Sequence, residues 1–264
     1  MQLKKLEMKM KRIVIKVGSH VLTEKNDLAR NRITNLVSFL ADLCKKYEVI
    51  LVSSGAVAAG YSKLKLDKSI LGNRQAIAAV GQPYLMSVYA KKLSAFDILT
   101  AQVLLNASDF DSRKSTKNAK NAVDVLIKNR IIPIINENDA TDISELVFGD
   151  NDQMSAHVAH FFDAQMLIIL SDIDGLYDKD PREFKAAKMR KHVNEILDKE
   201  LDVPCIPNTS FATGGIVTKL KAAKFILEND KEMFMASGFE LRDARAFLLD
   251  GVHLNGTHFK RASL

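Results

Sequence analysis

The sequence of 264 residues contains no tryptophan and only two cysteines. Cys44 and Cys205 lie far apart and have none of the spacings of metal ligands, so they do not predict a cysteine-ligated metal site. So few cysteines are typical of a protein from a reducing cytosol, although a single disulfide between them stays open. The longest strongly apolar runs, such as 166–170, are far too short to span a bilayer. We therefore expect a cytoplasmic protein without membrane spans.

Targeting, linker and repeat segments are also missing. No long apolar stretch and no small-residue cleavage site follow the basic residues 1–12, so the start of the chain is not typical of a signal peptide. The chain shows no linker, low-complexity tract or internal repeat. Its length suffices for one large domain over 1–264, or for two lobes that share a sheet.

The charge balance is basic, with a net charge of +6 and a pI near 9.1. Such a balance is compatible with nucleic-acid binding. However, the lysines are scattered, and no aromatic residues alternate with basic ones. The pattern therefore favours a solvated basic surface or a small anionic substrate over nucleic acid.

Apolar runs alternate with helical patterns along the chain. Strands are predicted at 12–17, 49–52, 97–105, 131–135, 166–170, 233–236 and 256–259. Helices are predicted at 31–46, 75–92 with an interruption at 81–83, 115–128, 151–162, 213–227 and 241–249, and a small hairpin at 143–148. Because the strands read as buried on both faces, we expect an α/β fold, a three-layer α-β-α sandwich with a mainly parallel central sheet.

Two dense clusters of carboxylates and amides stand near the centre of the chain. Asn136-Glu137-Asn138-Asp139 follows the strand 131–135, and Gly149-Asp150-Asn151-Asp152 opens a helix. In open α/β sheets, ligands bind outside the carboxyl ends of the strands. A plain turn or a helix cap remains the alternative for each cluster taken alone.

Three other segments have features of an anion site. Lys16 interrupts an apolar strand just before Gly18, which marks either an edge residue or one that faces a ligand. The small-residue turn after Ser54 allows backbone amides to approach an anion, but it also simply allows close helix packing. The run 213–219 places glycine amides and Lys219 at the positive end of a helix dipole, as in phosphate sites. It is not a Walker A loop, because that pattern occurs nowhere in the chain.

Two motifs contain residues that bind metals in other proteins, but neither predicts a metal site here. The loop 171–182 contains four aspartates before Pro181, but their spacing does not fit an EF-hand, so a turn that contacts a nucleotide is favoured. His157 and His160 lie at i and i+3 without a third ligand nearby in the sequence. We therefore expect them to be ordinary helix residues.

Together, these segments resemble the amino acid kinase family over nearly the whole chain. The motifs that carry the resemblance are K-V-G-S-H-V-L-T, S-S-G-A-V-A-A-G, G-Q-P-Y-L-M, I-N-E-N-D-A, F-G-D-N-D, S-D-I-D-G-L-Y-D-K-D-P and T-G-G-I-V-T-K. They are most similar to the branch that uses ATP and Mg²⁺ to phosphorylate the side-chain carboxylate of L-glutamate. That reaction gives L-glutamyl 5-phosphate and ADP in the first step of proline biosynthesis.

The chain departs from the family pattern in three places. His20 stands where relatives more often have serine, and Phe211-Ala212 precedes the Thr-Gly-Gly where small residues and glycine are usual. The sequence also stops at Leu264, so we expect a catalytic domain alone, without the C-terminal PUA domain that many bacterial members carry. We expect the first two departures to affect nucleotide affinity at most, because neither removes a charged group.

The resemblance implies a role for each motif residue. Lys16 and Lys219 would act on the transferring phosphate, with Asp152 organising them. Glutamate would be held by residues on the acceptor side, Ser54, Asp139 and Asn151. The nucleotide would be held by Lys16, Gly18, Ser19, Ser171, Asp172, Thr213, Gly214, Gly215, Ile216, Val217, Thr218 and Lys219. No residue is assigned to a metal; a lobe at about 1–160 would bind glutamate and one at about 161–264 would bind ATP.

The resemblance also implies a homo-oligomer, a dimer or tetramer, and handover of the product to glutamyl phosphate reductase. Two alternatives stay open. The chain could be another member of the family with a different acid or phosphate as acceptor, or a non-catalytic regulator that binds nucleotide or RNA. A silent regulator is disfavoured because Lys16, Asp152 and Lys219 are all present.

Overall fold

In the computed structural model, ten strands and nine α-helices occupy the described residues, which are 10–25, 27–141, 151–179, 181, 183–201 and 215–262. The strands are β1 (Lys11–Val17), β2 (Thr23–Glu24), β3 (Asp27–Leu28), β4 (Tyr47–Ser53), β5 (Thr100–Leu105), β6 (Ile132–Glu137), β7 (Met166–Ser171), β8 (His192–Val193), β9 (Glu232–Ser237) and β10 (Thr257–Phe259).

The helices lie between the strands. They are α1 (Ser19–Leu22), α2 (Arg30–Leu43), α3 (Ala56–Tyr61), α4 (Leu71–Leu93), α5 (Ala107–Asp111), α6 (Arg113–Lys128), α7 (Asn151–Phe161), α8 (Ile216–Glu228) and α9 (Arg242–Arg245). A π-helical segment (Ala246–Asp250) follows α9, and short 3₁₀ turns occupy Ser94–Phe96 and Asp198–Glu200. None of the helices described is long and apolar enough to cross a membrane.

Eight of these strands form one sheet in the order β5-β6-β4-β1-β7-β9-β10-β8. Among them, β9 and β10 pair antiparallel, and the other neighbours pair parallel. Both faces are covered: Ile13 and Ile15 of β1 belong to one hydrophobic cluster, and Val14 belongs to a second cluster on the other face. A mainly parallel sheet covered on both faces is what the sequence predicts, so the three-layer α/β fold is confirmed.

The interruption expected at 81–83 is wrong, because α4 continues through it. Gly81 serves the packing of α4 against α3. A Cβ atom at Gly81 would lie 1.8 Å from the carbonyl oxygen of Ala56, and one at Gly60 would lie 1.8 Å from that of Ile77. The two glycines therefore allow the two helix backbones to touch, which a sequence pattern alone does not distinguish from a helix break.

Gly81→Ala is expected to lower the free energy of unfolding by about 2 kcal/mol or more, because the added methyl group must push α3 and α4 apart. Gly72→Ala is the matched control in the same helix, where an added Cβ meets no atom within 4 Å. It should raise stability by up to about 1 kcal/mol, since alanine favours helix. Urea unfolding of both variants measures the difference; equal effects would contradict the close contact.

Other boundaries differ from the sequence prediction in understandable ways. The helix predicted at 31–46 ends at Leu43, and the one predicted at 241–249 is a short α-helix followed by the π-helical segment. The strand β8 was not predicted, because two residues carry too little pattern. The hairpin predicted at 143–148 lies outside the described residues.

Candidate active site

Lys16, Asp152 and Lys219 meet in the interior of the protein. Lys16 comes from β1, Asp152 from the first turn of α7, and Lys219 from the start of α8. The Nζ of Lys16 lies 2.5 Å from Oδ1 of Asp152, and the Nζ of Lys219 lies 3.2 Å from Oδ2. Asp152 is 0% exposed and each lysine 6%. The reading of Lys16 as an edge residue is therefore wrong.

This cluster, which we call the Lys–Asp–Lys cluster, has one more positive than negative charge. Burial favours the neutral form of Asp152, but the charges of Lys16 and Lys219 outweigh it. Hydrogen bonds from Lys16 and from Thr218, whose Oγ1 donates to Oδ2 at 2.7 Å, act in the same direction. The pKa of Asp152 thus lies well below its usual value. A buried excess of one positive charge fits a site that receives an anion.

The carboxyl ends of three neighbouring parallel strands meet beside the cluster. Val17, the last residue of β1, pairs with Ser53 of β4 and Leu170 of β7. Gly18 then donates its backbone N–H to the carbonyl of Leu170, and Ser54 donates its own to that of Val17, both at 3.2 Å. A Cβ on Gly18 would lie 3.8 Å from the Nζ of Lys16. Gly18 and Ser54 are therefore brought to the cluster by the sheet, as the sequence predicts.

Ser19 and the end of β7 carry further residues predicted to hold the nucleotide. Ser19 opens α1 directly after Gly18, and the hydroxyl of Ser171 donates to Oδ1 of Asp172 at 2.9 Å. His20 Nδ1 lies 3.1 Å from Oδ2 of Asp172. The hydrogen bond with His20 is the largest of the effects that hold the pKa of Asp172 well below its usual value. His20, a departure from the family pattern, is thus the partner of a predicted nucleotide residue.

The start of α8 supplies the remaining predicted nucleotide residues. Gly215 is its N-cap, and Ile216, Val217, Thr218 and Lys219 form its first turn. Thr218 and Lys219 both contact Asp152. Thr213 and Gly214 lie outside the described residues, so their predicted role stays a prediction.

Polar residues fill the other side of the cluster. Asn151 donates both amide hydrogens, to Ser54 Oγ and to Asn136 Oδ1, each at 2.9 Å. Asp139 is buried two residues beyond the end of β6. The structure thus joins two residues of the predicted acceptor side, Ser54 and Asn151, and adds Asn136, which belongs to the polar cluster 136–139 but had no role assigned to it. Its signal was present: an amide at the carboxyl end of a buried strand.

A cleft of about 490 Å³ is lined in part by Asp172. Its walls come from the segments after β7 and β9 and from the turn before β10, and include Asp174, Tyr177, Ser237 and Asn255. The volume lies in the range of small-molecule pockets. Asp172 directly follows β7, which pairs with β1 beside Lys16, so the cleft and the Lys–Asp–Lys cluster are neighbours.

The histidines of α7 are packing residues, as expected. The ring centroid of His157 lies 5.3 Å from that of Phe110 and 4.7 Å from that of Phe225. Burial lowers the pKa of His157, which favours its neutral form. Within the described ranges, no group of three histidine, cysteine or acidic side chains is arranged to hold a metal ion.

Comparisons with known proteins give the family of the chain. Residues 11–237 match the Amino acid kinase family. A glutamate 5-kinase of Wolinella succinogenes is 56% identical over 255 residues, which cover 95% of this chain and 98% of that protein. A glutamate 5-kinase of Leishmania donovani is 56% identical over 249 residues, which cover 94% of this chain and 95% of that protein. The solved structure of a carbamate kinase from Giardia lamblia bound to AMP-PNP shares the fold, with a TM-score of 0.66 and 16% identity. The match covers 96% of this chain and 99% of that chain. The chain therefore belongs to the amino acid kinase family.

Proposed function

We propose that the protein transfers the terminal phosphoryl group of ATP to the side-chain carboxylate of L-glutamate. The products are L-glutamyl 5-phosphate and ADP, and the reaction is the first step of proline biosynthesis. The observation that carries the proposal is the buried Lys–Asp–Lys cluster at the carboxyl ends of β1, β4 and β7. The identity of 56% to two glutamate 5-kinases over most of the chain supports the choice of substrate.

The chemistry suits these residues because the acceptor needs no general base. A glutamate side chain has a pKa near 4.3, so it is already ionised at pH 7. The difficulty is to bring this anion to a polyanion and to stabilise charge on the equatorial phosphoryl oxygens. We assign that role to the ammonium groups of Lys16 and Lys219. Asp152, ionised and buried, contacts both ammonium groups and orients them.

The nucleotide is proposed to lie along the β7 side of β1. Its phosphates would rest against Gly18, Ser19 and the first turn of α8, where backbone amides and the helix dipole favour negative charge. Its nucleoside would occupy the cleft beyond Asp172. Glutamate would occupy the β4 and β6 side, which agrees with the predicted division into an acceptor lobe and a nucleotide lobe.

Magnesium would reduce the negative charge of the nucleotide's phosphates. This ion is usually bound through one or two carboxylates and substrate phosphates, and it keeps several waters. We propose that the ion enters with the phosphates of the nucleotide.

Asp139→Ala is expected to raise the KM for glutamate about tenfold or more and to leave the KM for ATP unchanged. Its buried carboxylate is suited to the α-ammonium group of the amino acid, and a hydrogen bond to a charged group contributes about 1.5–3 kcal/mol. Steady-state kinetics with each substrate varied in turn measures both constants. A loss confined to ATP binding would contradict this assignment.

An ATP-dependent hydroxamate assay tests the function, because hydroxylamine traps acyl phosphates and not phosphate anhydrides. The acceptors are L-glutamate, L-aspartate, N-acetyl-L-glutamate and UMP. We expect hydroxamate with L-glutamate in amounts equal to the ADP released. Hydroxamate with another acid, or ADP release with UMP alone, would assign the chain to a different reaction of the family. No turnover with any acceptor would favour a non-catalytic regulator.

We further propose that the enzyme acts in the cytoplasm as a homo-oligomer, a dimer or tetramer. We also propose that it passes its product to glutamyl phosphate reductase, because an acyl phosphate hydrolyses readily in water. Sedimentation of the purified protein gives the number of subunits. A monomer at micromolar concentration would contradict the first of these two proposals.

A further inference from the structure

A row of four side-chain amides leads from the acceptor side of the cluster to the edge of the sheet. Asn151 Nδ2 donates to Asn136 Oδ1 at 2.9 Å, and Asn136 Nδ2 donates to Gln82 Oε1 at 2.9 Å. Gln82 Nε2 in turn donates to Gln102 Oε1 at 3.1 Å. In each link the nitrogen belongs to the residue nearer the cluster. We call this row the amide relay.

The relay fixes which end of each amide faces which neighbour. The oxygen and the NH₂ group of an amide have nearly the same shape, so their hydrogen-bond partners decide the orientation. If the side-chain amide of Gln82 were reversed, its NH₂ group would face the NH₂ group of Asn136. The amide of Asn136 would then have to reverse as well. Asn136 and Asn151 are each 1% exposed, so water cannot relieve such a mismatch. A buried polar group without a partner costs about 1–3 kcal/mol.

The relay ends in an oxygen that is ready to accept a hydrogen bond. Both amide hydrogens of Asn151 are used, by Ser54 and by Asn136. Its Oδ1 is buried and has no hydrogen-bond partner within the part of the chain that the structure describes. The amide of Asn151 bonds to Ser54, whose backbone N–H bonds to Val17, the residue after Lys16, so the amide group stands beside the carboxyl end of β1. Its oxygen suits a ligand with a hydrogen-bond donor, such as the α-ammonium group of an amino acid.

We propose that Gln82 is a positioning residue for the phosphoryl acceptor, which it serves through Asn136 by directing the Asn151 carbonyl oxygen towards the acceptor's α-ammonium group. The identity of the acceptor rests on the proposed function. Two residues of the G-Q-P segment then have a role. Gly81 allows α4 to pack against α3, and Gln82, in the same turn of α4, contacts Asn136 of β6.

Gln82→Met tests the proposal, because methionine has similar size but offers Asn136 no comparable acceptor. We expect the KM for glutamate to rise about tenfold, with the KM for ATP unchanged. Gln165→Met is the matched control, since Gln165 is exposed and lies outside the amide relay. It should change the KM for glutamate less than about threefold.

Glutarate separates positioning from general damage to the pocket, because it has both carboxylates of glutamate but no ammonium group. Its inhibition constant against glutamate should stay within about threefold of wild type in Gln82→Met. An equal loss for glutamate and glutarate would overturn the proposal. So would an unchanged KM for glutamate.

Gln82→Glu covers the case in which Gln82→Met does not fold. Whether its carboxyl group is protonated or ionised, an oxygen still faces Asn136, so the KM for glutamate should stay within about threefold of wild type. A tenfold rise in this variant would overturn the relay. Wild-type protein that forms no hydroxamate from glutamate would instead overturn the proposed function, and with it the acceptor named here.

Discussion

Lys219→Ala is expected to lower turnover by about 10²-fold or more at saturating ATP and glutamate. In the proposed mechanism this side chain supplies one of the two positive charges at the phosphoryl group, and the loss of one charge-stabilising donor has an effect of this size. Lys16→Ala should have a similar effect, because Lys16 contacts the other oxygen of the same carboxylate. The measurement is the rate of glutamyl hydroxamate formation at saturating substrates.

Two exposed lysines provide matched controls for these variants. Lys221 lies two residues beyond Lys219 on α8, and Lys11 lies at the start of β1. Alanine at either position should leave turnover within about twofold of wild type. Near wild-type turnover in Lys219→Ala or Lys16→Ala would show that the ammonium group in question does not act on the transferring phosphate.

Asp152→Ala is expected to lower the free energy of unfolding by about 3–5 kcal/mol, because it leaves two buried lysines without their shared counter-charge. The double variant Asp152→Ala/Lys219→Met removes one of the two cations and should be more stable than Asp152→Ala. Urea unfolding at pH 7 without ligands measures both. A loss below about 1 kcal/mol in Asp152→Ala would contradict the charge arrangement.

The pH dependence gives an independent check on Asp152. Its pKa is lower in the folded protein than the value of about 3.9 in an unfolded chain. Its contribution to stability is therefore present above about pH 4 and is lost as the pH falls through the folded-state pKa. The difference in stability between wild type and Asp152→Ala should narrow below about pH 4. A constant difference down to pH 3 would contradict the low pKa.

The sequence predicted the class of fold from local pattern, whereas the roles of the candidate site residues came from the resemblance to a family and stay predictions. Apolar runs between amphipathic helices indicated a parallel sheet, and polar residues at the ends of strands indicated where ligands bind. Local pattern could not show whether Lys16 lies on an edge strand or on a central strand. Its strand lies in the middle of the sheet, between β4 and β7, and that order is set by contacts between residues far apart in the chain.

The residues that sequence reasoning missed act through tertiary contacts. Gln82 lies in a stretch whose glycine and proline indicated a break, and only the contact of α4 with α3 shows why the helix continues. His20 was recognised as a departure from the family, but its partner Asp172 lies 152 positions away. A single sequence carries no signal for pairs of this kind.

In the proposed arrangement, the central position of β1 separates the acceptor site from the nucleotide site. The residues assigned to the acceptor extend from β1 through β4 and β6, whereas those assigned to the nucleotide extend through β7 and β9 on the other side. Substitutions on the first side can therefore change which acid is recognised and leave the phosphoryl donor's site intact. A scaffold divided in this way is suited to the evolution of new acceptor specificities, since one half can diversify while the other retains a common energy source.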